Sequence, residues 1–191
     1  MSDDIRCFFA IALPAELKAR IDEYIKELKT FNPEIKWVKA DSIHITLKFL
    51  GNIRPELAEK SALQAMEIGG CIPDFKIQIN TTGAFPDKRR PRVIWLGIQS
   101  VPQQPLYELN EKLENLSEPL GFEKENRRFS PHLTLGRIKQ LGNYTQMWKY
   151  IEENPFEQSE FAVNEFLLMR SFLKQSGAEY KIIQKYPLRL C

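Results

Sequence analysis

The sequence predicts an α+β fold made of two related lobes around a shared cleft, on three observations. Segments of strand and helix periodicity are mixed, without the steady alternation of a doubly wound parallel sheet. One four-residue phrase occurs twice, as His44-Ile45-Thr46-Leu47 and His132-Leu133-Thr134-Leu135, each inside a segment that reads as a strand. The chain has 191 residues, 43% hydrophobic and 27% charged, which suits one domain or two small lobes with enough apolar material for a core.

Taken in order, Ile5 to Leu13 is apolar, aromatic and stopped by Pro14, which predicts a strand. Leu17, Ile21, Tyr24, Ile25 and Leu28 then recur at helical spacing to about Phe31. Lys36 to Lys39 reads as a short strand around Trp37 and Ile43 to Leu50 as a longer one broken by Gly51-Asn52, with a helix over Pro55 to Ile68. Phe75 to Ile79 and Val93 to Ile98 follow as strands. Leu106, Leu109, Leu113 and Leu116 mark a helix that ends near Gly121. His132 to Ile138 reads as a strand, Tyr144 to Ile151 as a short helix, and Phe161 to Phe172 and Tyr180 to Tyr186 as closing strands.

Composition removes several function classes. Lys and Arg total 27 against 25 Asp and Glu, a formal charge of +2, so global charge does not hold this chain on nucleic acid. A local basic patch stays open at Lys88-Arg89-Arg90-Pro91-Arg92, to track an RNA backbone or to stand as a solvated loop. No span approaches the roughly 18–20 apolar residues of a membrane helix. The acidic start Met1-Ser2-Asp3-Asp4 lacks the positive region of a secretory signal. Cys7, Cys71 and Cys191 are scattered, odd in number and without metal-type spacing, and read as reduced thiols of a cytoplasmic protein.

The chain holds only two histidines, and both open the repeated phrase. Side chains alternate across a strand, so His44 and Thr46 share one face while Ile45 and Leu47 point to the core. His132 and Thr134 repeat this against Leu133 and Leu135. Histidine titrates near neutrality, so two can divide the roles of acid and base. A threonine hydroxyl beside each can donate to an anionic oxygen. The fitting substrate is a phosphodiester, because in-line displacement places the entering and leaving oxygens on opposite sides of phosphorus. Metal binding fits less well, since neither H-x-x-x-H nor H-x-H spacing occurs. A phosphohistidine enzyme of the phospholipase type would want Lys where Thr46 and Thr134 stand, and a Ser-His-Asp triad would leave half of the repeat unexplained.

At these residues the chain resembles the two-histidine phosphoesterases, and more narrowly the bacterial and archaeal RNA 2′,3′-cyclic phosphodiesterases, historically called 2′–5′ RNA ligases. The likeness begins with Arg6-Cys7-Phe8-Phe9-Ala10, Leu13-Pro14, Trp37 and His44 to Gly51. It continues through Gly83-Ala84-Phe85-Pro86, Pro91 to Trp95 and Phe129 to Arg137, and ends with Leu168-Met169-Arg170-Ser171, Gly177 and Tyr180. The resemblance implies one domain over residues 1–191, with two pseudo-symmetric lobes, each an antiparallel sheet with helices outside, around a central cleft. It implies hydrolysis of an RNA-terminal 2′,3′-cyclic phosphate to a 2′-phosphate without metal or other cofactor. RNA ends or small cyclic nucleotides would be the substrate, with no membrane partner and the chain acting as a monomer. Carried over by position, His44 would protonate the departing O3′ and His132 would activate water, with Thr46 and Thr134 on the phosphate. The physics of the residues supports the two roles but does not say which histidine takes which.

Arg137 matches the arginine that closes the second motif in this family and is a candidate phosphate ligand. It lies five positions after His132, so plain alternation sends it to the wrong face unless a bulge or the strand end turns it back. Lys48 has the parity of His44 but reads as a solvated lysine. Phe49, Phe85 and Trp37 are candidates to stack on a base, with the core as the alternative for each. Two rival functions remain: 2′–5′ ligation in the same site, and a non-catalytic module that binds RNA ends.

Overall fold

The computed structural model describes residues 4–140, 142–174 and 177–189. The readings made for Met1 to Asp3 and for Cys191 lie outside the described residues. Among the described residues nine strands form two antiparallel sheets, and four α-helices cover them. The first sheet has the order β3-β1-β8-β9, from β1 (Ile5–Ala12), β3 (His44–Ile53), β8 (Glu165–Lys174) and β9 (Gly177–Pro187). The second has the order β2-β6-β5-β4-β7, from β2 (Lys36–Trp37), β4 (Phe75–Phe85), β5 (Val93–Val101), β6 (His132–Arg137) and β7 (Ser159–Val163).

The helices are α1 (Ala15–Phe31), α2 (Pro55–Gly69), α3 (Gln104–Ser117) and α4 (Thr145–Glu153). α1 buries the stripe that its spacing predicts, Leu17, Ile21, Tyr24, Ile25 and Leu28, and α3 buries Leu106, Leu109 and Leu113 with Leu116 partly buried. Two helices cross over. α1 follows β1 of the first sheet, yet Tyr24 packs on Phe156 at 5.3 Å and shares a hydrogen bond with Thr82 of β4, on the second sheet. α3 follows β5 of the second sheet, yet it packs beside α2 and β3, where Asn110 Nδ2 donates to the Leu47 carbonyl at 2.8 Å. Among the described residues no helix is long and apolar enough to cross a membrane. Cys7 is buried and Cys71 exposed, and both are free thiols.

Several boundaries differ from the sequence expectation: the strand read as Phe75 to Ile79 runs on to Phe85, the one read as Val93 to Ile98 runs on to Val101, and two others change the pairing. Gly51 does not end its strand: β3 runs on to Ile53, with Gly51 at φ +80° where the register against β1 slips between Phe8–Phe49 and Cys7–Gly51. Glycine enters that left-handed region without a Cβ clash, so the break signal marks a bulge. The segment from Phe161 to Phe172 is two strands: β7 pairs with β4 in the second sheet and β8 with β1 in the first. At the crossing, Asn164 turns its carbonyl to the Leu188 N–H at 2.8 Å. Continuous hydrophobicity hides such a crossing, because each side needs a buried strand.

Candidate active site

β3 and β6 touch where the two sheets meet, and each carries one copy of the repeated phrase. The bracing of the two histidines is duplicated. His44 Nδ1 lies 2.9 Å from the carbonyl of Ser42, and His132 Nδ1 lies 2.8 Å from the carbonyl of Ser130. A carbonyl only accepts, so Nδ1 carries the hydrogen in both rings and Nε2 is left as the titrating nitrogen. The repeat is therefore longer than it first reads, Ser-x-His-x-Thr-Leu in both copies, and the two serines were the signal available in the sequence.

Both strands contain a bulge after the threonine, and it decides what else faces the site. In β6 the pairs with β5 run Gly97–His132, Trp95–Thr134 and then Val93–Arg137, with Leu135 the extra residue. Val93, Trp95 and Gly97 share a face of β5, so Arg137 stands on the same face as His132 and Thr134. In β3 the pairs with β1 run Ala12–His44, Ala10–Thr46, Phe9–Lys48 and Phe8–Phe49, with Leu47 the extra residue. That places Phe49 beside His44 and Thr46 and turns Lys48 to the back.

The reading of Lys48 as a solvated lysine is therefore corrected. It is 5% exposed, with Nζ 2.6 Å from Glu114 Oε2 and 2.8 Å from the Glu123 carbonyl. Phe49 is 45% exposed, with the Arg6 guanidinium 4.4 Å from its ring centroid. Phe85 also belongs to the site, edge-on to His132 at 5.0 Å. Trp37 does not: it pairs with Gly136, packs against the core, and its indole N–H donates to the Asn32 carbonyl at 3.1 Å. The basic run occupies the turn between β4 and β5. There Lys88 pairs with Glu152 at 3.0 Å and Arg92 Nη1 donates to the Lys139 carbonyl at 3.1 Å, while the main-chain N–H groups of Arg89 and Arg90 bind Asp87.

Neighbours from distant strands set the electrostatics. Phe8 of β1 stacks on His44 at 4.7 Å and Tyr180 of β9 meets it edge-on at 4.9 Å. Burial between these rings pushes His44 down to about 4, with the Lys18 charge adding to the effect and the Ser42 carbonyl opposing it. His132 is also lowered, first by burial and then by the positive charge of Arg137. The Arg137 and Arg6 charges both act on the Tyr180 hydroxyl against the upward push of burial. The charge of Arg137, on the second sheet, is thus felt both by His132 and by the Tyr180 hydroxyl, whose ring flanks His44. Thr46 is exposed and Thr134 half-buried, each two residues on from its histidine and on its face. Chemically these are two groups able to carry protons, each with donors on its own strand face: the Thr46 hydroxyl with His44, and the Thr134 hydroxyl and Arg137 guanidinium with His132. Among the described residues no group of three or more His, Cys, Asp and Glu side chains gathers as a metal site would require.

Comparison with known proteins points the same way. The LigT-like phosphoesterase family model matches twice, over residues 11–95 and 96–180. An RNA 2′,3′-cyclic phosphodiesterase of Methanocaldococcus jannaschii is 33% identical over 184 residues, covering 95% of this chain and 100% of that protein. One of Thermotoga maritima is 33% identical over 180 residues, with 94% and 93% covered. The crystal structure of Escherichia coli LigT complexed with 3′-AMP superposes with a TM-score of 0.79 at 30% identity, covering 97% of this chain and 99% of that one. With two braced histidines in duplicated strands and the family model spanning both halves, this chain belongs to the LigT-like phosphoesterase family.

Proposed function

We propose that this protein hydrolyses the 2′,3′-cyclic phosphate at an RNA end to a 2′-phosphate, without a metal, by acid–base catalysis divided between His44 and His132. The observation that carries the reading is the duplicated brace, which leaves Nε2 of each histidine free to move a proton beside a threonine hydroxyl. The activity named for the relatives from M. jannaschii and T. maritima supports the substrate class. The working unit is the whole chain, one domain over residues 1–191, acting as a cytoplasmic monomer on RNA ends or small cyclic nucleotides.

In the reaction, His132 Nε2 takes a proton from water as the water oxygen attacks phosphorus. The P–O3′ bond breaks, and O3′ takes a proton from His44 Nε2. Thr46, Thr134 and Arg137 hold the non-bridging oxygens, where negative charge resides in the transition state. Burial, and after it the positive charge of Arg137, lowers the pKa of His132 and so favours the neutral form that a base needs. His44, held at about 4, is neutral at pH 7, and a phosphodiester anion beside it draws its pKa upward. Substrate binding therefore loads the acid. The assignment of acid to His44 and base to His132 follows the family resemblance.

The test is incubation of an oligoribonucleotide bearing a 2′,3′-cyclic phosphate, in the presence of a chelator, with the product identified. A 2′-phosphate is expected. A 3′-phosphate would reverse the leaving oxygen, and loss of turnover restored by Zn²⁺ or Mn²⁺ would remove the metal-free mechanism.

A further inference from the structure

Lys36 stands opposite Arg137 in the register of β2 against β6, so the two side chains leave the sheet on one face. Arg137 shares that face with His132 and Thr134, which puts Lys36 on the site side as well. Its neighbours are tied down. Ile35 is buried, and Trp37 lies over Gly136 on the core face with its indole bonded to the Asn32 carbonyl. Of the three only Lys36 is exposed, and so is Arg137 across from it. Directly opposed residues stand about 4.5–5.5 Å apart at Cβ, and like charges so placed weaken a sheet. Neither Lys36 nor Arg137 has an ion pair or a hydrogen bond among the described residues to offset that repulsion. A lysine on an edge strand also discourages pairing with another chain, but that duty needs no second cation opposite it. The same end of the sheet is basic beyond the pair. Arg92 precedes Val93, the other cross-strand partner of Arg137, and donates to the carbonyl of Lys139. Two opposed cations without a counter-ion, at the margin of a phosphate site, suit a second anion.

We propose that Lys36, together with Arg137, forms a second phosphate site, which holds the phosphodiester joining the terminal nucleotide to the rest of the RNA strand. The reacting phosphate already has Thr46, Thr134 and Arg137 as donors, and Lys36 lies beyond Arg137 on the neighbouring strand. In an RNA end the next anion along the chain is the phosphodiester one nucleotide back, and a mononucleoside cyclic phosphate lacks it. The proposal rests on the function proposed above and narrows its substrate class from any cyclic nucleotide to the end of a strand.

The test compares, on the full-length protein, two adenosine dinucleotides that end in a 2′,3′-cyclic phosphate. One has the natural internucleotide phosphate and the other an uncharged methylphosphonate in its place, so bases and reacting group are the same. An exposed ion pair predicts a kcat/KM about 2- to 5-fold higher for the natural linkage, expressed mainly in KM and shrinking as salt is raised. Lys36→Ala should bring that ratio toward one, and Lys36→Glu should invert it. A purely structural loss would slow both substrates alike and leave the ratio as it was. Equal turnover of the two linkages, or an unchanged ratio in Lys36→Ala, overturns the site. A binding arm separates this failure from failure of the proposed reaction, using the same two dinucleotides with a 2′-phosphate end. Tighter equilibrium binding of the natural linkage, lost in Lys36→Glu, upholds the site even if no cyclic phosphate is turned over. Equal binding of the two sinks it even if hydrolysis proceeds.

Discussion

His44 and His132 are held by the same carbonyl brace and followed by the same bulge, yet the fifth residue after the first is Phe49 and after the second Arg137. One strand presents an aromatic ring with Arg6 laid over it, the other a guanidinium of its own. Behind the sheets the pair at the preceding position differs too: Lys48 is buried on Glu114, whereas Gly136 lies under Trp37. Duplication thus supplies the frame for two proton carriers, and divergence at the bulge gives them unlike surroundings. Burial lowers both histidines, His44 between the rings of Phe8 and Tyr180 and His132 beside that of Phe85, and the cation that adds to the effect is Lys18 for the first and Arg137 for the second.

The largest expected effect treats the halves as equals. His44→Ala and His132→Ala should each lower kcat by about 10²–10⁴, and the double variant should lose little more, because the pair acts as one unit. Multiplicative losses in single-turnover assays would break that equivalence. Next comes the asymmetry: Arg137→Ala should cost on the order of 10²–10³ in kcat, as loss of an oxyanion donor does. Phe49→Ala should change kcat by much less than Arg137→Ala, and equal losses would mean that the two positions do the same work.

A third contrast concerns the back of the sheets. Lys48→Ala leaves the half-buried Glu114 carboxylate with only the Glu125 N–H and should destabilise by about 1.5–3 kcal/mol in denaturant unfolding. Pairing it with Glu114→Leu should recover much of that loss. The smallest effect is on pH. Above pH 6.5 His44 is neutral folded or unfolded, and between 6.5 and about 4 only the unfolded chain takes the proton. Stability should therefore fall as pH drops through that window and level off below it. His44→Gln should flatten the fall in Tm, and an unchanged slope would place the proton elsewhere.

Much of this site is written locally in the chain. The repeated phrase gave both histidines, both threonines and the strands that bear them, since period-two alternation is a local property. Arg137 needed a bulge to face the site, and the bulge exists. The same irregularity made Lys48 misleading: parity counted from His44 fails once Leu47 is an extra residue. Phe8 and Tyr180 were not legible as site residues, because strands far away in sequence bring them there. The serine before each motif was legible, but its role runs through a backbone carbonyl, which every residue type possesses.

The crossing of α1 and α3 carries a consequence for any attempt to divide the molecule. The boundary between the two family-model matches, at 95 and 96, falls inside β5. A cut there would leave the amino-terminal piece with a helix whose covering partners Phe156 and Tyr150 are on the other fragment. It would likewise part the carboxyl-terminal helix α3 from the Leu47 carbonyl and Lys48 that it grips. The two halves are stitched through one another, so the seam between the sheets is held by the same exchange that makes the halves hard to separate.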